Sequence, residues 1–453
     1  MKASELEEVA ETILKTSMKL GADELVSVVS DSDSKQVKFV NNQIVINKAW
    51  TDILASVILI KDRKVAVTSI KECTKECIED TLKKLLDFIK ILEPSQEYRG
   101  IARGPFKYRE VEDGFDKRIV DMGEGSVDIV ESVINAALEQ GAKRASGVLE
   151  YGVAESVLMT SNDVRVREKG TSINLSIRAL SEKNASGHKV SCSRIMKGFD
   201  PLGAGEKAGM IAKMARNPKA IKPGRYHVVF DPLPFANLVD QVMISAPMTA
   251  VESGLSFLVN KLNQKVASPL LTLWDDGHIA GGLGSSMSDD EGVPTQRTTL
   301  IEEGVLKNYL HNTSTAIKYK TKTTANAGVI SPIPSNAVVK AGDSSIDEMI
   351  AGIKKGLYIT NIWYTRFQNY ITGDFSTIPR DGIFYILDGE IKHPTTGIRI
   401  SENILKMMMN ISCLGKEVLQ IQSWDSNIPT FTPAVLVDDV NITKSTFRKP
   451  AQT

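Results

Sequence analysis

Cysteine is sparse, with four residues in a chain of 453. That is too few for a disulfide framework at this length, so the fold has to rest on an apolar core. Histidine is represented by His188, His227, His278, His311 and His393, and no two of them lie within one helical turn. A helix presenting an i, i+4 histidine pair to a metal, as HExxH sites require, is therefore missing. What remains is a site assembled from distant histidines, set against ordinary hydrogen-bonding roles in loops and strands. There is no GxSxG elbow for a hydrolase serine and no GxxxxGK[ST] phosphate loop. Charge of one sign is lacking too: Lys plus Arg and Asp plus Glu each number 55, for a net charge of +0. No basic field is present to hold a nucleic-acid backbone, and no nucleic acid is indicated. No run approaches the roughly 18–20 apolar residues needed to span a bilayer. The N-terminal stretch MKASELEEVAETILK places acidic residues where a signal peptide needs an apolar run, so a cytoplasmic location is expected.

What is present is an ordinary globular composition, 42% apolar and 24% charged, long enough for two or three domains. Leu6, Val9, Ala10, Ile13, Leu14 and Met18 recur at helical spacing before Gly21. β-rich segments follow at Glu24–Ser30, Gln36–Asn47 and Ile53–Thr68, then a helix at 75–92. Residues 94–120 are polar with Pro and Gly and read as a linker. A second unit repeats the plan: a helix at 126–140, strand-like segments at 144–155, 156–161, 164–169 and 172–181, a glycine-containing loop, and a helix at 206–216. Beyond Pro223 come a strand at Tyr226–Phe230, a helix across Phe235–Ser256, and many short strands separated by Asp-Gly and Glu-Gly turns, with a helix at 345–355. The last strand is expected at Ala434–Ile442, followed by a frayed basic tail. The fold class is α+β. Two small helix-plus-antiparallel-sheet units (1–93 and 121–221, joined by the linker 94–120) precede a β-rich C-terminal domain (222–453) with a strongly curved sheet or partial barrel.

Candidate chemistry is thin. Cys73 and Cys77 stand one helical turn apart, but two thiolates do not complete a tetrahedral zinc site. Cys192 and Cys413 read as buried small hydrophobes. Gly203, Gly205 and Gly209 have the wrong spacing for a dinucleotide loop and read as a flexible loop before a helix. Two acidic clusters remain, Asp275–Asp276 and Asp289–Asp290–Glu291. Clustered carboxylates of this kind could offer oxygen ligands to Mg²⁺ or Ca²⁺; the alternative, since each cluster adjoins a turn glycine, is carboxylates accepting from turn N–H groups.

The segment DDEGVPTQRTTLIEEGVLKNYL (289–310) resembles the signature of the TldD/PmbA family of peptidase-related proteins. TTANAGVISPIPSNAVVKAGDSSIDEMI (323–350), GLYITNIW with NYITGDFS (356–376) and the run from Gly382 to Glu417 agree in order, and KQVKFVNNQIVI fits the family's first domain. The resemblance implies a curved antiparallel C-terminal sheet and paired subunits enclosing a chamber. In the TldD branch it also implies a zinc peptidase for small or unfolded polypeptides. There a helix before the DDEG block carries HExxxH, a cysteine near the C-terminus is the third ligand, and the Glu acts as general base on zinc-bound water. Here the equivalent helix, FANLVDQVMISAPMTAVESGLSF (235–257), has no histidine, with Asp240 and Glu252 as its only acids, and QIQSWDSNIPTF (420–431) has no cysteine. This pattern resembles the TldE/PmbA branch. It implies a pseudoenzyme with no catalytic residue, cofactor or metal of its own, and zinc expected in a TldD-type partner. Two alternatives stay open: a homodimeric peptide- or ligand-binding protein, and an independent hydrolase with an unrecognised site such as Asp289–Glu291.

Overall fold

A computed structural model describes residues 3–444, so the basic tail expected after the last strand lies outside the described residues. The helix α1 (Ala3–Lys19) buries Leu6, Val9, Ala10 and Ile13 and ends at Gly21, whose φ of 91° suits a residue without a Cβ. Strands β1 (Glu24–Val40), β2 (Gln43–Lys61) and β3 (Lys64–Ile70) then form an antiparallel meander. Helix α2 (Lys75–Lys90) closes the unit, with the Thr74 side chain accepting from the Cys77 N–H at its N-terminus. The hairpin turns fall at Asn41–Asn42 (φ 50° and 68°) and Asp62–Arg63 (φ 50° and 60°). The segments expected at Gln36–Asn47 and Ile53–Thr68 each straddle one of these turns. Asn and Asp tolerate the left-handed conformation that a two-residue hairpin loop demands, so no glycine marks the reversal.

The second unit adds α3 (Lys117–Val120), α4 (Gly125–Glu139), β4 (Arg144–Thr160), β5 (Arg165–Glu182), β6 (Ala185–Ser193) and α5 (Pro201–Met214). The four strand-like segments expected here are two long strands, and β6 occupies the stretch expected as loop. The expected flexible Gly203–Gly209 loop is instead the first half of α5, entered through Asp200, whose carboxylate accepts from the Gly203 N–H at 2.9 Å. Its glycines serve close helix packing. A Cβ on Gly205 would sit 2.6 Å from the Val133 carbonyl of α4, and one on Gly209 would collide with the Ala137 carbonyl.

The two units share one six-stranded sheet, ordered β3-β2-β1-β4-β5-β6. Strands β1 and β4, each 17 residues long, pair antiparallel from Val26–Thr160 to Phe39–Gly147. One face buries Leu25, Val29, Leu149, Ile173 and Leu175 under the four long helices. By the two-residue alternation of a strand, the other face presents Val26, Leu158 and Val166, on which the linker residues Ile101, Phe106 and Tyr108 lie.

The C-terminal part begins with β7 (Gly224–Phe230), α6 (Pro232–Met243) and α7 (Met248–Glu252). The single helix expected across Phe235–Ser256 is broken at Pro247, which offers no N–H and restricts the residue before it. There follow β8 (Leu273–Asp276), β9 (Arg297–Glu302), β10 (Val305–Leu306), α8 (Thr313–Lys318), β11 (Ala337–Val339), α9 (Ile346–Ala351), β12 (Lys355–Ile359) and β13 (Ile362–Asn369). Strands β14 (Asp374–Pro379), β15 (Ile383–Leu387), β16 (Glu390–Pro394), β17 (Ile398–Asn403), β18 (Ile411–Leu414), β19 (Leu419–Ser423), β20 (Ser426–Thr432) and β21 (Val435–Lys444) complete it. A nine-stranded sheet curls into a half-barrel, and a separate six-stranded sheet runs β10-β9-β8-β11-β20-β19. The curled sheet is not purely antiparallel, because β12 lies parallel to β7. Helix α6 is buried from Pro232 to Asp240 and packs Phe235, Leu238 and Val239 into the core with Phe230, Phe257 and Phe375. Among the described residues no helix is long and apolar enough to cross a membrane.

The α4–α5 contact generates a stability prediction. Gly209→Ala should destabilise the protein by about 1–3 kcal/mol in urea unfolding, as overpacking does. Gly352→Ala, where an added Cβ meets nothing nearer than 3.7 Å, should change it little.

Candidate functional site

Helix α6 and the β19–β20 hairpin are the two segments to which the family resemblance assigns zinc ligands. The fold brings them into contact. The Asn237 amide donates to the Asp425 carbonyl, and its oxygen accepts from the Thr365 hydroxyl at 2.6 Å. Thr365 and Thr377 hydroxyls lie 2.9 Å apart. Asp240 accepts from the Ile428 N–H at 2.9 Å, and burial pushes its carboxyl up to about 6 against that stabilising bond. Asp425 accepts from the Tyr364 N–H at 2.9 Å. This donor set does not fit zinc as the TldD pattern holds it: imidazole and thiolate are absent from both segments, and both carboxylates are already engaged with backbone N–H groups.

The groove at the N-terminal end of α6 holds about 530 Å³. Asp231 precedes the helix but makes no capping bond; its carboxylate is taken by Lys189 and, at 3.0 Å, by the Tyr358 hydroxyl. Burial, together with Asp231, pushes the Tyr358 phenol well up. Met210, Met214 and Ile350 supply apolar wall. Sequence reasoning missed these three polar residues, which stand far apart in the chain and match no motif.

A second polar cluster joins the shared sheet to the half-barrel. Asp381 accepts from Arg178 Nε at 2.7 Å, from Ser186 at 2.6 Å and from the Asn361 amide at 3.1 Å. The same amide lies 3.0 Å from His188 Nδ1, and His188 Nε2 lies 2.9 Å from Ser176 Oγ. Serine, histidine and asparagine in line invite comparison with a nucleophilic triad, but the proton runs the wrong way. The amide nitrogen facing Asp381 must donate, so Nδ1 accepts and Nε2–H donates to the serine. Burial also lowers the His188 imidazole to about 4. The cluster is an anchor. The remaining histidines serve separate contacts: His227 with Asp438, His278 with Thr295, His311 with Thr315, and His393 stacked on Tyr385.

The acidic candidates behave as turn acceptors. Asp289 Oδ1 accepts from the Glu291 and Val293 N–H groups at 3.0 and 2.9 Å, and Oδ2 from Ala327 at 3.0 Å. Glu291 turns to the Thr313 N–H at the start of α8. Asp290 is half-buried, and loss of solvent raises its carboxyl. Asp275 accepts from Ser335 N–H and the Asn326 amide, both at 2.7 Å, while Asp276 accepts from the His278 N–H. Among the described residues no three His, Cys, Asp or Glu side chains are grouped to hold a metal ion. Cys73 is raised by partial burial and by Cys77, Cys192 is buried with its thiol pushed up to about 12, and Cys413 contacts Ser344 at 3.1 Å.

Burial, reinforced by their mutual repulsion, pushes the Asp289 carboxyl up to about 8, and burial chiefly takes Glu291 to about 7. Both folded values exceed the unfolded ones, so protonation favours the fold. The stability this pair contributes is full below about pH 4 and is lost as pH rises through about 7 to 8. Thermal unfolding midpoints should therefore fall between pH 5.5 and 8.5, and Glu291→Gln should flatten that slope.

Residues 223–444 match the sequence model of the PmbA/TldA metallopeptidase C-terminal domain, and residues 123–216 match the central domain of the same proteins. An uncharacterised protein of Methanocaldococcus jannaschii is 28% identical over 336 residues, covering 72% of this chain and 76% of that one. A metalloprotease of Methanothermobacter thermautotrophicus is 33% identical over 221 residues, which are 47% of each chain, so less than half of that relative is spanned. The crystal structure of TldE from Thermococcus kodakarensis superposes with a TM-score of 0.87 at 21% identity, covering 96% of this chain and 100% of that one, a likeness of fold. On the two domain matches, the chain belongs to the PmbA/TldD family of metallopeptidase-related proteins.

Proposed function

We propose that this chain is a non-catalytic, TldE-type subunit that pairs with a zinc-bearing TldD-type subunit in the cytoplasm and controls which peptides reach the partner's metal. One observation carries the reading. The contact between α6 and the β19–β20 hairpin, where a catalytic relative would assemble its ligands, is filled by Asn237, Asp240 and Asp425, each turned to a backbone or hydroxyl partner. Side chains committed in this way hold the helix against the hairpin, and the two segments offer neither the imidazole nor the thiolate that a zinc of the TldD type takes. The fold likeness to TldE is consistent with this role. A subunit of this kind acts by access: paired walls admit extended chains and reject folded ones, while hydrolysis stays with the partner.

The test is a pull-down from the source cell with the tagged full-length chain, followed by elemental analysis. The isolated chain should carry almost no zinc and cleave no unstructured peptide. The complex should contain a homologue with HExxxH and about one zinc per pair. Near-stoichiometric zinc on the isolated chain would overturn the proposal, as would peptide cleavage by the isolated chain after chelation and repurification.

A further inference from the structure

At the seam between the β5–β6 hairpin and the half-barrel lies a cleft of about 200 Å³, apart from the α6–hairpin contact. Arg178, Lys183 and Arg380 all line it. One carboxylate stands in its wall, that of Asp381, and Arg178 already engages it at 2.7 Å. Lys183 and Arg380 form no ion pair among the described residues. Three cations against one carboxylate leave two positive charges uncompensated, in a chain whose formal net charge is +0. In the groove beside α6, by contrast, Lys189 is matched by Asp231.

The two arginines are also held in place. Arg178 and Arg380 both stack on the indole of Trp363, with guanidinium carbons 4.9 and 4.5 Å from the ring centroid. Stacking restrains the planar groups and leaves their N–H edges for an acceptor. It also gathers like charges whose repulsion a single carboxylate does not offset. A further feature points to a missing partner. Thr395, another residue of the cleft, is only 4% exposed, and its hydroxyl has no hydrogen-bond partner. A buried hydroxyl without a partner costs free energy that a bound acceptor would recover.

We propose that this cleft binds an anionic oxygen group, a carboxylate or a phosphate, through Arg380 and Lys183, with Arg178 and the Thr395 hydroxyl alongside. Guanidinium forks match both anions by paired N–H···O bonds. The anion has two sources, the C-terminal carboxylate of an extended peptide and free phosphate. The site is complete within one chain, so it stands or falls independently of any pairing with a catalytic subunit.

Calorimetric titration of the isolated full-length protein tests it, using an unstructured peptide with a free C-terminal carboxylate, the same peptide amidated, and inorganic phosphate. If the source is a peptide, the acid should bind about tenfold or more tightly than the amide, and Arg380→Gln should abolish that difference while leaving amide binding unchanged. If the source is phosphate, phosphate should bind and the two peptides should not differ, with Arg380→Gln weakening phosphate by a similar factor. Lys183→Gln, at an exposed hairpin position, should weaken the same ligand and covers the case in which Arg380→Gln unfolds the protein. Equal binding of acid and amide together with no phosphate binding would overturn the proposal, as would anion binding that neither substitution alters.

Discussion

Asp381 is fully buried, and each of the side chains it binds comes from a different strand or junction: Arg178 on β5, Ser186 on β6 and Asn361 at the entry to β13. A buried carboxylate is tolerable only when its lone pairs are occupied and a countercharge is near. These demands dictate the rest of the seam. Arg178 and His188 are register partners across β5 and β6, so both project from the same face of the sheet. That face looks away from the four helices, and the half-barrel has to meet it at one position for Asp381 to be satisfied. Removing one member of such a pair leaves an uncompensated buried charge, a loss of about 3–5 kcal/mol in comparable cases. An apolar contact would stabilise the junction without fixing its position. The polar one makes every other placement expensive.

The same face explains why the acidic signature of the family is architectural in this chain. Glu168 of β5 accepts from the Ser286 hydroxyl at 2.6 Å and the Met287 N–H at 2.9 Å, and Arg194 donates to the Ser285 carbonyl at 2.6 Å. This draws the loop before Asp289 onto the sheet. Tyr108 of the linker then donates to the Gly292 carbonyl at 2.7 Å, and Gly292 itself lies against Val164, where an added Cβ would collide. At Gly292 the φ is 81°, so close approach and left-handed backbone both require glycine. The Asp-Asp-Glu-Gly run thus folds a loop, caps α8 and closes the linker against the sheet.

How much of this was legible in the sequence follows from the range of each interaction. The apolar stripes of α1, α2 and α4 repeat within a few residues, and the sequence shows them directly. The hairpins at Asn41–Asn42 and Asp62–Arg63 were hidden because no glycine marks them. Strand β6 was hidden because small and polar residues fill it, with one side meeting α5 and the other meeting Asn361. The glycines of α5 looked like a loop because only the neighbouring α4 backbone explains them. For the site, the resemblance identified both segments, but their contact joins Asn237 to Asp425 and Asp240 to Ile428. The role of His188 depends on Asn361, and Arg380 gains its meaning from Trp363 and Thr395. Partners that distant leave no local pattern.

The α6–hairpin contact also shows how hydrogen bonds hold a buried helix to a hairpin. In the TldD branch, to which the family resemblance assigns zinc ligands on these two segments, a metal would tie the helix to the C-terminal segment, so a chain without those ligands also lacks that cross-link. Here hydrogen bonds span the same gap. Asn237 and Asp240 lie one helical turn apart and reach successive parts of the β19–β20 hairpin. Both sit on a helix buried from Pro232 to Asp240, so neither polar group has water as an alternative partner. An apolar residue at either position would strand a hairpin backbone group in the core, whereas Asn and Asp satisfy it and recreate the tie. Burial raises the Asp240 carboxyl, which shows that the tie is made at an electrostatic cost. Retaining a buried acid at such a cost is intelligible if the geometry of the helix and hairpin matters to the molecule.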